Sequence, residues 1–198
     1  MKSGQPVGKI ARRLGIAPTV KTLKILERRP TPPGQHPSAR RTKSVFSQQL
    51  IEKQKLRFQF MISERVLRRN FGDALRMKGN SGANLICILD QRLDATIFRS
   101  GIVRSVLAAR QLITHRHVFV DGKRVDKPAF RVRTGQTITF SPKARNFTVV
   151  QDGLQNGLNS SYIELNREQA AIRRMVDPER TAIPVECNEQ MIVEWYSR

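Results

Sequence analysis

The sequence predicts an α+β protein built from a basic extended N-terminal arm, a helical domain and a small module of two helices followed by a β-hairpin. Three observations predict it. Apolar residues recur at helical spacing between residues 44 and 116, the period then shortens to alternating runs around Asp121-Gly122, and before residue 44 prolines interrupt every regular pattern.

The arm comes first. After short helical possibilities such as "KIARRLGI", the stretch "ERRPTPPGQHPSARR" places four prolines and a glycine between Pro30 and Pro37. Proline fixes φ, removes a donor and pushes its predecessor toward extended backbone, so this stretch reads as a stiff extended track presenting Arg28, Arg29, His36, Arg40 and Arg41, within a basic arm of residues 1–43 whose Lys43 is a further expected RNA contact. A disordered linker is the alternative.

The helical domain spans 44–91. Ser44 is an N-cap for "SVFSQQLIEKQKLRFQF", with Phe46, Leu50 and Ile51 on one face and Lys53, Lys55 and Arg57 extending the basic surface. Ser63 and Glu64 open a second helix carrying Leu67, Phe71, Ala74 and Leu75, and Gly79 stops it. A third begins at Ser81, with Leu85, Leu89, Leu93 and Ile97 recurring every fourth position as far as Gly101; a boundary is placed near Gln91.

Residues 92–150 form the next module. Ser105 caps a helix bearing Leu107, Ala108, Leu112 and Ile113, after which "VFV-DG-KRV" reads as a hairpin with a two-residue type I′ turn. "FRVR" and "QTITF" add a further strand pair. The remaining 48 residues, 151–198, read as a polar loop ("QDGLQNGLNSS"), a short helix ("REQAAIRRM") and a strand-like run ("MIVEW"), packing back on the helical domain. No internal repeat is found.

The formal charge of +20 is unevenly divided. Residues 1–57 carry +12, 58–90 carry +2, 91–150 carry +9, and 151–198 carry −3. A polyanion accounts for such an excess, because each cation that meets a phosphate releases counterions and removes self-repulsion. An anionic membrane would instead require a basic amphipathic helix, and the most basic stretch is broken by proline. No apolar run is long enough for a membrane span, and the N-terminus lacks the apolar region of a secretory signal. Cys87 and Cys187 stand far apart, which predicts no disulfide framework and a reducing compartment: the cytoplasm, or an organelle with its own translation.

The segment "THRHVFVDGKRV" gathers two of the three histidines around Arg116. A metal site there lacks further ligands, and a catalytic base lacks a nucleophile or phosphate-binding loop; no cofactor, metal or enzyme is predicted. Arg104, Arg110, His115, His117 and Lys123 instead read as one rim for a phosphate backbone, with simple solvent exposure of the histidines as the alternative.

Residues 92–140 resemble the S4 RNA-binding module. The resemblance rests on "RLD", the Arg99–Gly101 stretch, Ser105, "ARQL" with Arg110 and Gln111, His115, "V-DG-RV" and Pro128. With "ERRPTPPGQH", "LIEKQKLRFQF", "MKGNSGANLICILDQRLD" and "DPERT…MIVEWYSR", the chain resembles the ribosomal protein S4 family nearly end to end. That likeness adds Arg92, Arg99, Ser105 and Gln111 to the expected RNA contacts. It implies a structural constituent of the small ribosomal subunit that binds rRNA early in assembly at a multi-helix junction. It also implies ribosomal protein S5 as a neighbour, a place beside the path by which mRNA enters, and an effect on translational accuracy. Zinc-binding cysteines frequent near the family's N-terminus are missing here, so no zinc is expected. "RLD" also occurs in pseudouridine synthases, where its aspartate is the nucleophile; within this module Asp94 reads as a helix carboxylate paired with an arginine. The competing function is a free S4-module RNA-modifying enzyme or stress factor. The acidic tail, with Glu186, Glu189 and Glu194 beside "MIVEWY", is expected to face a basic protein neighbour.

Overall fold

The computed structural model describes residues 6–36 and 44–197. Two compact units divide the chain: residues 1–84 with 185–198, and residues 85–184. The mixed α+β class holds, with helices dominating the first unit and an antiparallel sheet the second, but the N-terminal arm expected to be extended is corrected: it is helical over Val7–Leu14 and Val20–Arg28.

In the first unit, α1 (Val7–Leu14) ends at Gly15 in the left-handed region (φ 71°), and α2 (Val20–Arg28) opens with a capping box between Thr19 and Thr22. α3 (Val45–Gln59) is capped by Ser44, whose hydroxyl accepts from the Ser47 N–H at 3.2 Å. α4 (Glu64–Leu75) is capped by Ser63 in the same way. A small core of Ala11, Leu14, Ile16, Phe58 and Met61 joins α1 to the end of α3. The division between units falls within α5 (Ser81–Asp90).

The second unit begins its own pattern with α6 (Leu93–Arg99) and α7 (Val106–Thr114), where Ser105 accepts from the Ala108 N–H at 3.2 Å. The hairpin pairs β1 (Val118–Val120) with β2 (Lys123–Arg124). Its turn residues Asp121 and Gly122 have φ of 48° and 77°, the positive pair that a type I′ turn requires. β3 (Thr137–Phe140), β4 (Ile163–Asn166) and β5 (Ala171–Arg174) complete a five-stranded antiparallel sheet in the order β2-β1-β3-β5-β4. Its buried face carries Val118, Val120, Ile138, Phe140 and Ile172, which pack with Leu93, Ile97 and Ile113 of the helices. A short helix α8 (Pro142–Arg145) leads into α9 (Thr148–Asn156).

Three expectations for residues 151–198 are corrected. "QDGLQNG" is largely the second half of α9, and "EQAAIRR" is a turn followed by β5. A Cβ on Gly153 would lie 2.0 Å from the Ile102 carbonyl oxygen, so glycine is what lets α9 lie against the loop between α6 and α7. The poor helix propensity that made the segment look like a loop is the cost of that close approach. In β5 the inward residues are Ile172 and Arg174, and a buried arginine hides the two-residue period. "MIVEW" belongs to α10 (Glu189–Tyr196), capped by Asn188, which accepts from the Met191 N–H at 3.2 Å.

α10 and its cap meet α3 and α4 through polar bonds as much as apolar contact. Gln49 donates to Glu194 at 2.8 Å, the Asn188 N–H to Glu52 at 2.9 Å, and the Tyr196 hydroxyl to Glu64 at 2.8 Å. Phe46 meets Trp195, and Phe71 stacks on Tyr196, each with ring centroids 4.7 Å apart. Burial, then the Glu64 carboxylate, raises the Tyr196 pKa and keeps the hydroxyl a donor.

Candidate nucleic-acid interface

The second unit is organised around two buried carboxylates. Asp94, 1% exposed, accepts two bonds from Arg92 (3.0 and 2.8 Å) and two from Arg110 (2.8 and 2.6 Å), tying the start of α6 to α7. Its Oδ1 also accepts the Ala95 N–H at 3.0 Å. An aspartate so surrounded by fixed donors is a structural anchor. Asp90, also buried, accepts from Arg99 and Arg174 at 3.4 Å each and from the Tyr162 hydroxyl at 3.0 Å. Arg174 also bonds Asp177 at 3.2 Å. Desolvation, then the Asp90 charge, raises the Tyr162 pKa, so this hydroxyl too stays a donor.

These networks sort the cations that the sequence had grouped together. Arg92, expected to contact RNA, is buried against Asp94, because it stands just before α6 and its guanidinium folds back onto the helix's first turn. Arg99 and Arg110 are partly accessible but engaged with Asp90 and Asp94. Arg104, Arg116 and Lys123 are exposed. Arg104 meets Asp152 at 3.2 Å and Arg116 meets Asp126 at 3.9 Å; all four side chains are about half exposed or more, and such pairs contribute about 0–1 kcal/mol. Ser105 uses its hydroxyl as the α7 cap, and Gln111 is exposed on α7.

Between α7 and β1 the chain turns sharply: His115 caps the helix and Arg116 adopts φ 63°. The turn leaves His115 exposed and seats His117 half-buried, its Nδ1 3.0 Å from the Ser141 hydroxyl and its ring edge-on to Phe147 at 5.2 Å. The two imidazoles lie 6.5 Å apart. The sequence reading passed over Arg124, Arg131 and Arg133, all exposed in the same unit. The "KR" of the hairpin was the available signal for Arg124, whose guanidinium lies over Phe119.

In the first unit, Arg28 closes α2, Arg29 is its C-cap, and both are exposed, as is His36. Arg12 donates to the carbonyls of Thr31 (2.9 Å) and Pro32 (3.3 Å), fixing the beginning of the proline segment. Arg40, Arg41 and Lys43 lie outside the described residues. On α3 the expected outward basic face is corrected at Lys53, which is 5% exposed, pairs with Glu64 at 3.1 Å and lies over Trp195 at 4.8 Å. The arrival of α10 closes that face. Lys55 bonds Glu52 at 2.7 Å, and Arg57 lies 3.8 Å from Glu64. Glu186 is exposed, Glu189 half-buried, and Glu194 exposed while accepting from Gln49.

Among the described residues, no group of three or more His, Cys, Asp or Glu side chains could hold a metal. A helix-helix-hairpin with exposed cations at its rim carries the electrostatic footprint of a nucleic-acid-binding protein. Residues 2–90 match the Ribosomal protein S4/S9 N-terminal domain, and residues 91–138 match the S4 domain. The chain is 45% identical to "Small ribosomal subunit protein uS4" of Geobacillus sp. (strain WCH70), over 98% of this chain and 97% of the relative. It is 44% identical to the protein of that name from Shouchella clausii, with the same coverage, and 41% identical to that of Streptomyces griseus, over 98% of each. The chain belongs to the ribosomal protein S4 family, in its bacterial type.

Proposed function

We propose that this chain is a structural, rRNA-binding constituent of the small ribosomal subunit. The observation that carries the reading is the match of both the N-terminal domain and the S4 domain, continued along nearly the full length of the relatives. An RNA-modifying enzyme or stress factor sharing only the S4 module would not match over residues 2–90. The mechanism is electrostatic and geometric: exposed Arg104, Arg116, Lys123 and Arg124 neutralise phosphates, while the Asp90 and Asp94 networks keep the module rigid.

The exposed Arg28, Arg29 and His36, continued by Arg40, Arg41 and Lys43, supply a second contact, which supports early binding at a junction of rRNA helices. The carboxylates of Glu186, Glu189 and Glu194 are suited to a basic protein, with ribosomal protein S5 as the neighbour, and a place beside the path of incoming mRNA accounts for an effect on accuracy. Among the described residues no helix is long and apolar enough to cross a membrane. Cosedimentation tests the reading: the chain should remain with small subunits at about one copy each after a moderate salt wash, and substoichiometric recovery would overturn it.

A further inference from the structure

Within the second unit a cleft of about 420 Å³ opens between the C-terminal half of α7 and the junction of α8 with α9. One wall is Gln111, Leu112 and His115; the other is Asn146, Phe147 and Val149; His117 and Val150 also line it. Its lining mixes aliphatic side chains with the rings of His115, His117 and Phe147, and Gln111 and Asn146 each bring an amide that can both donate and accept. No carboxylate lines it, and its neighbours along the chain, Arg116, Lys143 and Arg145, are exposed cations.

We propose that this cleft receives one unpaired nucleobase of the bound RNA, stacked among His115, His117 and Phe147 and read along its edge by Gln111 and Asn146. The inference rests on the RNA-binding reading and adds a single-strand subsite to it. Charge decides the class of occupant: exposed cations with no lining carboxylate suit an anionic nucleotide and oppose the basic segments typical of an RNA-binding protein partner. Shape agrees, since the volume falls in the range of small-ligand pockets, and unstacked bases are held by aromatic or imidazole faces with amides at their edges. The His117 ring is already fixed by Ser141 and Phe147, so little freedom is lost when a base stacks on it.

The experiment uses the full chain and a small-subunit rRNA transcript carrying photoreactive uridines. Val149, 49% exposed at the cleft wall, is replaced by tryptophan to fill the space, and Asn146→Ala removes one amide. Affinity for the transcript should fall about tenfold or more in Val149→Trp and by less in Asn146→Ala. Irradiation of the wild-type complex should link a nucleotide unpaired in the free RNA to the peptide containing His115 and His117 or to that containing Phe147, and the link should vanish in Val149→Trp. Full affinity in a Val149→Trp chain with unchanged circular dichroism overturns the proposal. So does a normal rRNA affinity accompanied by loss of a protein from assembled subunits, which would make the occupant a peptide. If Val149→Trp does not fold, the wild-type crosslink decides alone, and its absence from both peptides overturns the proposal. Failure of the wild-type chain to bind the transcript would instead overturn the RNA-binding reading itself.

Discussion

Replacing Arg116 with glycine separates what this residue does for the fold from what it does for RNA. Its φ of 63° lies in the left-handed region, where an L side chain costs about 1–2 kcal/mol relative to ordinary backbone. Glycine removes that cost, while its greater freedom in the unfolded chain returns about 0.4–1 kcal/mol. The ion pair with Asp126, at 3.9 Å between side chains 68% and 51% exposed, contributes at most a few tenths of a kcal/mol after solvent screening, on the order expected of loose surface pairs. Arg116→Gly should therefore match the wild type in stability or exceed it by up to about 1 kcal/mol, raising Tm by no more than about 2–4 °C in a chain of this size. RNA binding should move the other way. Losing one phosphate contact lowers the slope of log affinity against log salt by about 0.7–0.9, so the wild-type advantage should shrink about threefold between about 50 and about 200 mM salt. Thermal melts by circular dichroism and filter binding at several salt concentrations measure both. A destabilisation above about 2 kcal/mol would refute the backbone argument, and an unchanged affinity and slope would refute the phosphate contact.

Asp94→Asn leaves Arg92 and Arg110 without their shared charge and should destabilise the chain by about 3 kcal/mol in a urea titration; a change below about 1 kcal/mol would mean that the network is replaceable by a neutral amide. Gly153→Ala drives a methyl into the Ile102 carbonyl and should cost about 2–3 kcal/mol in the same assay, whereas near-neutral behaviour would show that α9 can move away freely. Reversing Glu186 and Glu189 to lysine should leave isolated rRNA binding equal or tighter while weakening incorporation of a neighbouring protein into the subunit. Lower rRNA affinity with normal subunit composition would contradict the protein-facing assignment.

The helix-helix-hairpin was legible because its signals are local. Ser105 before an apolar helical run and Asp121-Gly122 between short β runs each depend on a few adjacent residues, and the structure realises both. The C-terminal elements were hidden because distant packing determines them. Gly153 is tolerated in a helix only for the sake of a backbone 51 positions away, Arg174 occupies a core position because Asp90 awaits it, and "MIVEW" forms a helix on the surface of α3. Similar reasons apply to the candidate interface. Composition locates cations, but the buried carboxylates reveal which of them face inward: the neighbouring Asp94 in "RLD" was the one local sign for Arg92, while the partner that buries Lys53, Glu64, and the Trp195 ring over it come from other helices.

That sorting bears on how a chain with +20 formal charge stays folded before it meets RNA. Like charges oppose compaction, yet Arg92 and Arg110 converge on the buried Asp94, and Arg99 and Arg174 on the buried Asp90, with Asp177 also meeting Arg174, so each buried carboxylate holds two cations, of which Arg99 and Arg110 stay partly accessible. The outward Arg104 and Arg116 are paired with the half-exposed Asp152 and the exposed Asp126, at the weak end of ion-pair strength. Strong pairs inside make the module rigid without RNA; weak pairs outside leave its rim exchangeable. A phosphate displacing Asp152 or Asp126 therefore exchanges one partner for another at small cost, whereas one competing for Arg92 would have to break a buried, four-bond carboxylate network. If the exposed cations carry the salt-dependent RNA binding proposed above and the buried ones the thermal stability, the Arg116 and Asp94 substitutions should show the two properties moving separately.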